Sequence, residues 1–311
     1  MRRPTSDRAL ASHRSNVGAA LRLLCVALIA APAHAAATPG CAQIVGLKDS
    51  SSGSTWWAQV LNGLPKVRLD VELLNGKDAK SSPAKKTAKI VGALSPSPCA
   101  SGAALTGFTL NPHHAAGVDW RDVAARRPRA RAVVWDRSNF VKKVVSAVLY
   151  EQPGCRSHNV QRLKQAQKCR RATASTPPRD FVRRVRGEAC DSAALFETAG
   201  AISPNATVHA MAYEDFRRDA AGETIKLFEA LGLDASAVAA KLKTRQRTIK
   251  RSPEDLRKTF TNFEAIAAAL EAASPATCDL AAMLRDTAAT PFRCDAAAVC
   301  RHLKAREKAG S

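Results

Sequence analysis

Aromatic side chains are scarce in this chain: two Tyr, four Trp and nine Phe among 311 residues. A core with so few rings must pack its helices through small residues, and much of the 46% hydrophobic content is alanine. Acids are scarce too. Asp and Glu total 27 against 48 Lys and Arg, a formal net charge of +21. A field of that sign concentrates polyanions, but no C2H2, helix-turn-helix or RRM pattern is present, so nucleic acid is not an expected partner. No C-x-x-C pair occurs and His302 is the only imidazole near the C-terminal cysteines, so no metal site is expected. The pattern G-x-x-x-x-G-K-S/T is missing, which excludes a Walker A loop. There is no internal repeat. The apolar run Leu23 to Ala31 is too short, and too closely flanked by Arg22, to make a comfortable transmembrane anchor.

That run does fit a leader. Arg2, Arg3, Arg8 and Arg14 precede it and Ala33-His34-Ala35 follows, the layout of a secretory signal peptide over residues 1–35. A retained anchor or an Arg-rich organelle transit peptide are the alternatives, and membrane association is expected only if the leader is retained. Nine cysteines occur and Cys25 lies in the leader. The even remainder (Cys41, Cys99, Cys155, Cys169, Cys190, Cys278, Cys294 and Cys300) suits disulfides in an oxidising lumen. A local Cys294–Cys300 bridge is expected, and the other pairings are left open. Asn205-Ala206-Thr207 is a glycosylation sequon.

Residues 36–311 read as one domain. Strand-like runs alternate with helical patterns, which implies an α/β fold with a parallel sheet covered on both faces. A basic polar stretch over 76–89 reads as a loop, a basic Cys-containing insert, irregular or partly helical, covers 153–190, and a helical cap covers 273–311. Ser252-Pro253-Glu254-Asp255 reads as a helix start: Ser at the cap, Pro at N1, acids in the first turn.

Two junctions carry chemistry. The apolar run Gln43 to Leu47 leads into Ser51-Ser52-Gly53-Ser54-Thr55-Trp56. Trp57, Val60, Leu61 and Leu64 then recur at helical spacing. A strand running into a hydroxyl- and glycine-rich turn that opens a helix aims backbone N–H groups and the positive helix end at one point, a site for a phosphate or sulfate. Gly53 lets backbone approach the anion, and Ser52, Ser54 and Thr55 can donate hydroxyl hydrogen bonds. Roughly 80 residues on, Arg129 to Trp135 reads as a second strand. Val141, Val144, Val145 and Val148 mark the helix after it, with Ser138 or Asn139 as the cap. Arg137 then sits at the carboxyl end of a strand, where its guanidinium can clamp a phosphate.

The run Ser52 to Trp56 resembles the 5′-phosphosulfate loop of sulfotransferases, with Ser51 where that family usually carries Lys or Arg and Lys48 as the nearest upstream cation. Arg137 followed by Ser146 is similar to the same family's 3′-phosphate motif, with one residue more between them than in cytosolic members. Val208 to Phe216 resembles its strand–Y-E-D-L segment. Ser252 to Leu256 with the helix after it resembles the P-E-D-L segment of membrane-bound and algal-type members. The matches span roughly residues 43–270; the cytosolic family's C-terminal R-K-G-x-x-G-x-W is absent.

The resemblance implies a P-loop-like three-layer fold and a sulfotransferase of the secretory lumen, Golgi or secreted. It would use 3′-phosphoadenosine 5′-phosphosulfate (PAPS) as donor, no metal, and an anionic or neutral glycan as acceptor. Ser51, Ser52, Gly53, Ser54, Thr55, Trp56, Arg137 and Ser146 would hold the donor, and Lys48 would replace the loop cation. Two residues are candidates for the base. His113 stands beside His114 at the end of a strand about 24 residues before Arg137, and imidazole titrates near neutrality. Glu72 falls where carbohydrate sulfotransferases often carry a carboxylate. The alternative is a degenerate relative that binds acidic polysaccharide without turnover.

Overall fold

The computed structural model describes residues 41–95, 102–153, 155, 169, 173–242, 255–288 and 291–309. The leader, Cys99, most of 153–172 and the expected helix start at 252–254 lie outside the described residues.

Five parallel strands form the sheet: β1 (Ala42–Lys48), β2 (Val67–Asp70), β3 (Leu105–Leu110), β4 (Ala130–Asp136) and β5 (His209–Ala212). Their order is β2-β3-β1-β4-β5. β1 is central, and its neighbours reach it only through crossover connections, as parallel pairing requires. Its burial is nearly continuous from Ile44 to Lys48, the pattern of a strand covered on both faces.

One face packs α1 (Ser54–Asn62) onto the sheet. There Trp57 lies parallel to Trp135 of β4, with ring centroids 5.3 Å apart and planes 15° apart. A Cβ on Gly46 would come within 2.9 Å of the Trp57 ring, so the central strand carries no side chain where that indole lies. The same side holds α6 (Tyr213–Arg218), α7 (Ala220–Ala230) and α8 (Ser236–Leu242), with Phe216, Leu227 and Phe228 in its core. The other side holds α2 (Pro83–Ala93), α3 (Trp120–Arg126) and the long α5 (Pro178–Ile202).

A further apolar cluster joins α4 (Phe140–Glu151) and α5 to α9 (Phe263–Ala273), α10 (Leu280–Arg285) and α11 (Ala296–Ala309). Among the described residues three disulfides are formed: Cys155–Cys169, Cys190–Cys300 and Cys278–Cys294. They fit an oxidising, secretory-type compartment. Among the described residues no helix is long and apolar enough to cross a membrane.

Three expectations need correction, and one is made more definite. Cys294 does not pair with Cys300 but with Cys278, while Cys300 reaches Cys190 across α5. Cys294 lies ahead of α11, in the segment bridged to Cys278, whereas Cys300 lies within α11, which packs on α5 and so meets Cys190. The basic stretch 76–89 is not a loop throughout: Pro83 occupies the first turn of α2, and Lys86, Thr87, Ile90 and Val91 lie on its buried face while Lys85 and Lys89 are exposed. The end of the 153–190 insert belongs to α5, whose 25 residues begin at Pro178. Of the helix expected from Ser252, the described residues 255–262 are not helical, and α9 begins at Phe263. The backbone before it is committed to Ala174, whose N–H donates to Thr259 O and whose carbonyl accepts from Thr261 N–H.

Candidate functional site

The carboxyl ends of the strands collect the polar groups, as in open α/β sheets. After β1 the chain turns through Asp49 to Gly53. Ser51 and Gly53 both take left-handed backbone, φ 59° and 82°. Gly53 stands at the N-cap of α1 with its carbonyl accepting from the N–H groups of Trp56 and Trp57. Ser52 is buried and spent on structure: its hydroxyl donates to Asp49 O (2.7 Å), and its own carbonyl accepts from Trp135 Nε1 (2.9 Å). Ser54 is buried, while Ser51 and Thr55 are partly exposed beside it. Trp56 packs edge-on against Phe216 and Tyr213.

Gly53 is needed for more than its dihedral. A Cβ there would sit 2.8 Å from the Tyr213 ring. The same ring lies under Arg137, whose guanidinium carbon is 4.9 Å from its centroid. The two expected anion-binding junctions therefore flank one tyrosine. Arg137 is 5% exposed; its Nε faces Glu214 Oε1 at 3.6 Å, and Nη1 donates to Lys142 O at 3.3 Å. Glu214 also accepts from the backbone and hydroxyl of Ser138, both at 3.1 Å. Asn139 caps α4 by accepting from Lys142 N–H. Ser146 is half-buried farther along that helix, roughly 9 Å along its axis from Phe140.

Lys48 and Glu72, expected as separate candidates, form an ion pair with each other. Lys48 is nearly buried, and Glu72, at φ 59°, has its N–H bonded to Thr109 Oγ1 (2.9 Å). His113 stands elsewhere on the same edge, in a 3-10 turn after β3, Pro112–Ala115. Asn111 accepts from His113 N–H (3.0 Å) and reaches Ser50 Oγ at 3.3 Å, tying that turn to the β1 loop. His113 Nε2 is 3.1 Å from Asp191 Oδ1 on α5. His114 follows in the same turn, partly exposed.

Sequence reading missed the charges behind this edge. The ammonium of Lys143, fully buried, meets Asp49 Oδ2 at 2.7 Å, Asp136 Oδ1 at 3.3 Å and Glu188 Oε2 at 3.4 Å. Asp136 also accepts from Ser192 Oγ. Burial alone would pull Lys143 down, but Asp136, Asp49 and Glu188 together outweigh it and hold it above the ordinary lysine range. Glu188 is pushed up to about 7, first by burial and then by Asp49 and Asp191, against the pull of Lys143. A signal for this was present. Lys142 and Lys143 fall in the first turn of α4, where the helix dipole repels cations, so carboxylates had to meet them. Asp286 takes Lys142 at 2.7 Å. Among the described residues, Asp49, His113 and Asp191 also form a group whose donor atoms, within 4.8 Å of one another, could hold a metal ion.

No protein-family model matches the chain, and no curated protein matches it significantly.

Proposed function

We propose that this protein transfers a sulfuryl group from PAPS to a hydroxyl of a carbohydrate in the secretory lumen, in the Golgi or after secretion. One observation carries the reading: the β1 loop at Gly53 and the β4 junction at Arg137 pack on the same Tyr213 ring. That shared contact puts the two junctions, on adjacent strands, close together, which supports their holding the phosphosulfate and 3′-phosphate ends of one nucleotide. The backbone N–H groups of Ser52 to Trp56 and the N-terminus of α1 receive the 5′-phosphosulfate. Arg137 and Ser146 receive the 3′-phosphate. Lys48, from the last position of β1, neutralises charge that develops on the leaving phosphate oxygen. The base is His113 or Glu72.

A second reading has its own observation. Lys48 is already matched by Glu72 and Arg137 by Glu214. A domain whose donor cations are internally neutralised suits a degenerate relative that binds acidic polysaccharide through its basic surface. Calorimetry with 3′,5′-bisphosphoadenosine separates the two. Transfer predicts micromolar binding that Arg137→Ala weakens by about 1.5–3 kcal/mol, roughly 10- to 150-fold, the worth of hydrogen bonds to a charged group. Circular dichroism of the variant confirms that it remains folded. Incubation with radiolabelled PAPS and a glycan panel then tests turnover. Absence of nucleotide binding by the wild type leaves only the polysaccharide reading.

A further inference from the structure

The charge of the whole chain points to an anionic acceptor, but the cavity beside His113 has the opposite character. It measures about 380 Å³ and lies between the carboxyl ends of β1 and β3, the turn after β3, and α5. Asp49, Asn111, His113, Trp120, Asp191 and Thr198 supply its functional groups, and no lysine or arginine is among its lining residues. The nearest cation held by these acids is the buried ammonium of Lys143, already shared by Asp49, Asp136 and Glu188. In a chain of net charge +21, a cation-free cavity with two carboxylates on its wall is a local reversal of sign. A sulfate or uronate placed there would face the Asp191 carboxylate with no lysine or arginine on the cavity wall to meet it. Hydroxyl groups, in contrast, can donate to Asp49 and Asp191 and exchange hydrogen bonds with Asn111 and Thr198. The half-buried Trp120 gives the apolar face of a sugar ring a flat surface.

We infer that this cavity is the acceptor subsite and that Asp49 and Asp191 make it selective for an uncharged sugar over an anionic one, an inference that rests on the sulfuryl-transfer reading for the fate of the hydroxyl. Asp191 is a positioning residue: by accepting from Nε2 of His113 it leaves Nδ1 to take a proton. The acceptor O–H bond then breaks with its proton going to Nδ1. The acceptor oxygen forms the new S–O bond, and the S–O bond to the 5′-phosphate of PAPS breaks with its electron pair leaving on the phosphate oxygen.

Binding is measured without donor, by calorimetry of the intact protein at physiological salt. The probes are neutral gluco-, manno- and galacto-configured trisaccharides and their monosulfated counterparts. At least one neutral probe binds 10-fold or more tightly than its sulfated form. Trp120→Ala removes that binding, and Asp191→Asn narrows the preference. Ala194→Phe, which fills the cavity from α5, gives the same loss if Trp120→Ala does not fold. A sulfated trisaccharide whose binding depends on Trp120 or is blocked by Ala194→Phe overturns the inference, as does the lack of any such binding by a neutral probe. Cavity-dependent binding of a neutral sugar that is never sulfated removes the transfer reading and leaves the cavity's selectivity standing. Transfer confined to anionic acceptors does the reverse.

Discussion

Lys143 holds its ammonium where Asp49, Asp136 and Glu188 converge, and removing it would strand three carboxylates at the edge of the core. Lys143→Met should therefore lower unfolding free energy by about 3–5 kcal/mol, measured by denaturant titration. Glu188 sets a pH dependence. Its folded pKa is raised from 4.5 to about 7, so the folded state holds its proton more tightly than the unfolded chain. The stability it contributes is complete below pH 4.5 and is lost as pH rises toward 7. Relative to wild type, Glu188→Gln should gain stability steadily across that window and hold the gain above it, as read by melting temperature at each pH. His209 acts in the other direction. Burial lowers its pKa below the ordinary 6.5, so its contribution is present above that value and is lost on acidification. None of these partners was legible in the sequence. Lys143 and Glu188 are brought together only by the packing of α5 against α4, and His113 meets Asp191 where α5 passes the turn after β3.

At the scale of elements, much more could be read. β3 runs from Leu105 to Leu110 as its apolar pattern indicates, and the valines at helical spacing mark α4. The turn between β1 and α1 was legible as a turn because Ser and Gly tolerate its dihedrals. What could not be read was that Tyr213 fills the space over Gly53. Gly53→Ala combines left-handed backbone at φ 82° with a ring contact of 2.8 Å. It should destabilise the protein by about 1–3 kcal/mol and weaken nucleotide binding, checked by thermal melting and calorimetry. The late start of α9 has a different cause. Ser252-Pro253-Glu254 is good helix-start chemistry, but Ala174 recruits the backbone of Thr259 and Thr261 into a parallel bridge. Local propensity cannot foresee a hydrogen bond made some 85 residues away.

For the whole molecule, the disulfides decide how firmly the C-terminal helices are held. Cys190–Cys300 closes a separation of 110 residues, against 14 for Cys155–Cys169 and 16 for Cys278–Cys294. Replacing both cysteines of the long bridge with serine should cost about 2–5 kcal/mol, more than opening either short loop. Denaturant midpoints of the double variants measured side by side would show the order. The parity of the cysteine count was legible, whereas the pairing was not, since Cys190 and Cys300 meet only where α11 packs on α5. The order of the sheet has its own consequence for biogenesis. β1 is the first of the described strands to be synthesised, yet it lies at the centre between β3 and β4. One of its edges waits for β3, ending at Leu110, and the other stays unpaired until β4, ending at Asp136, has been made. At about 5–20 residues per second the longer wait is roughly 5–20 s, during which an open edge of an apolar strand is exposed to pairing with other chains.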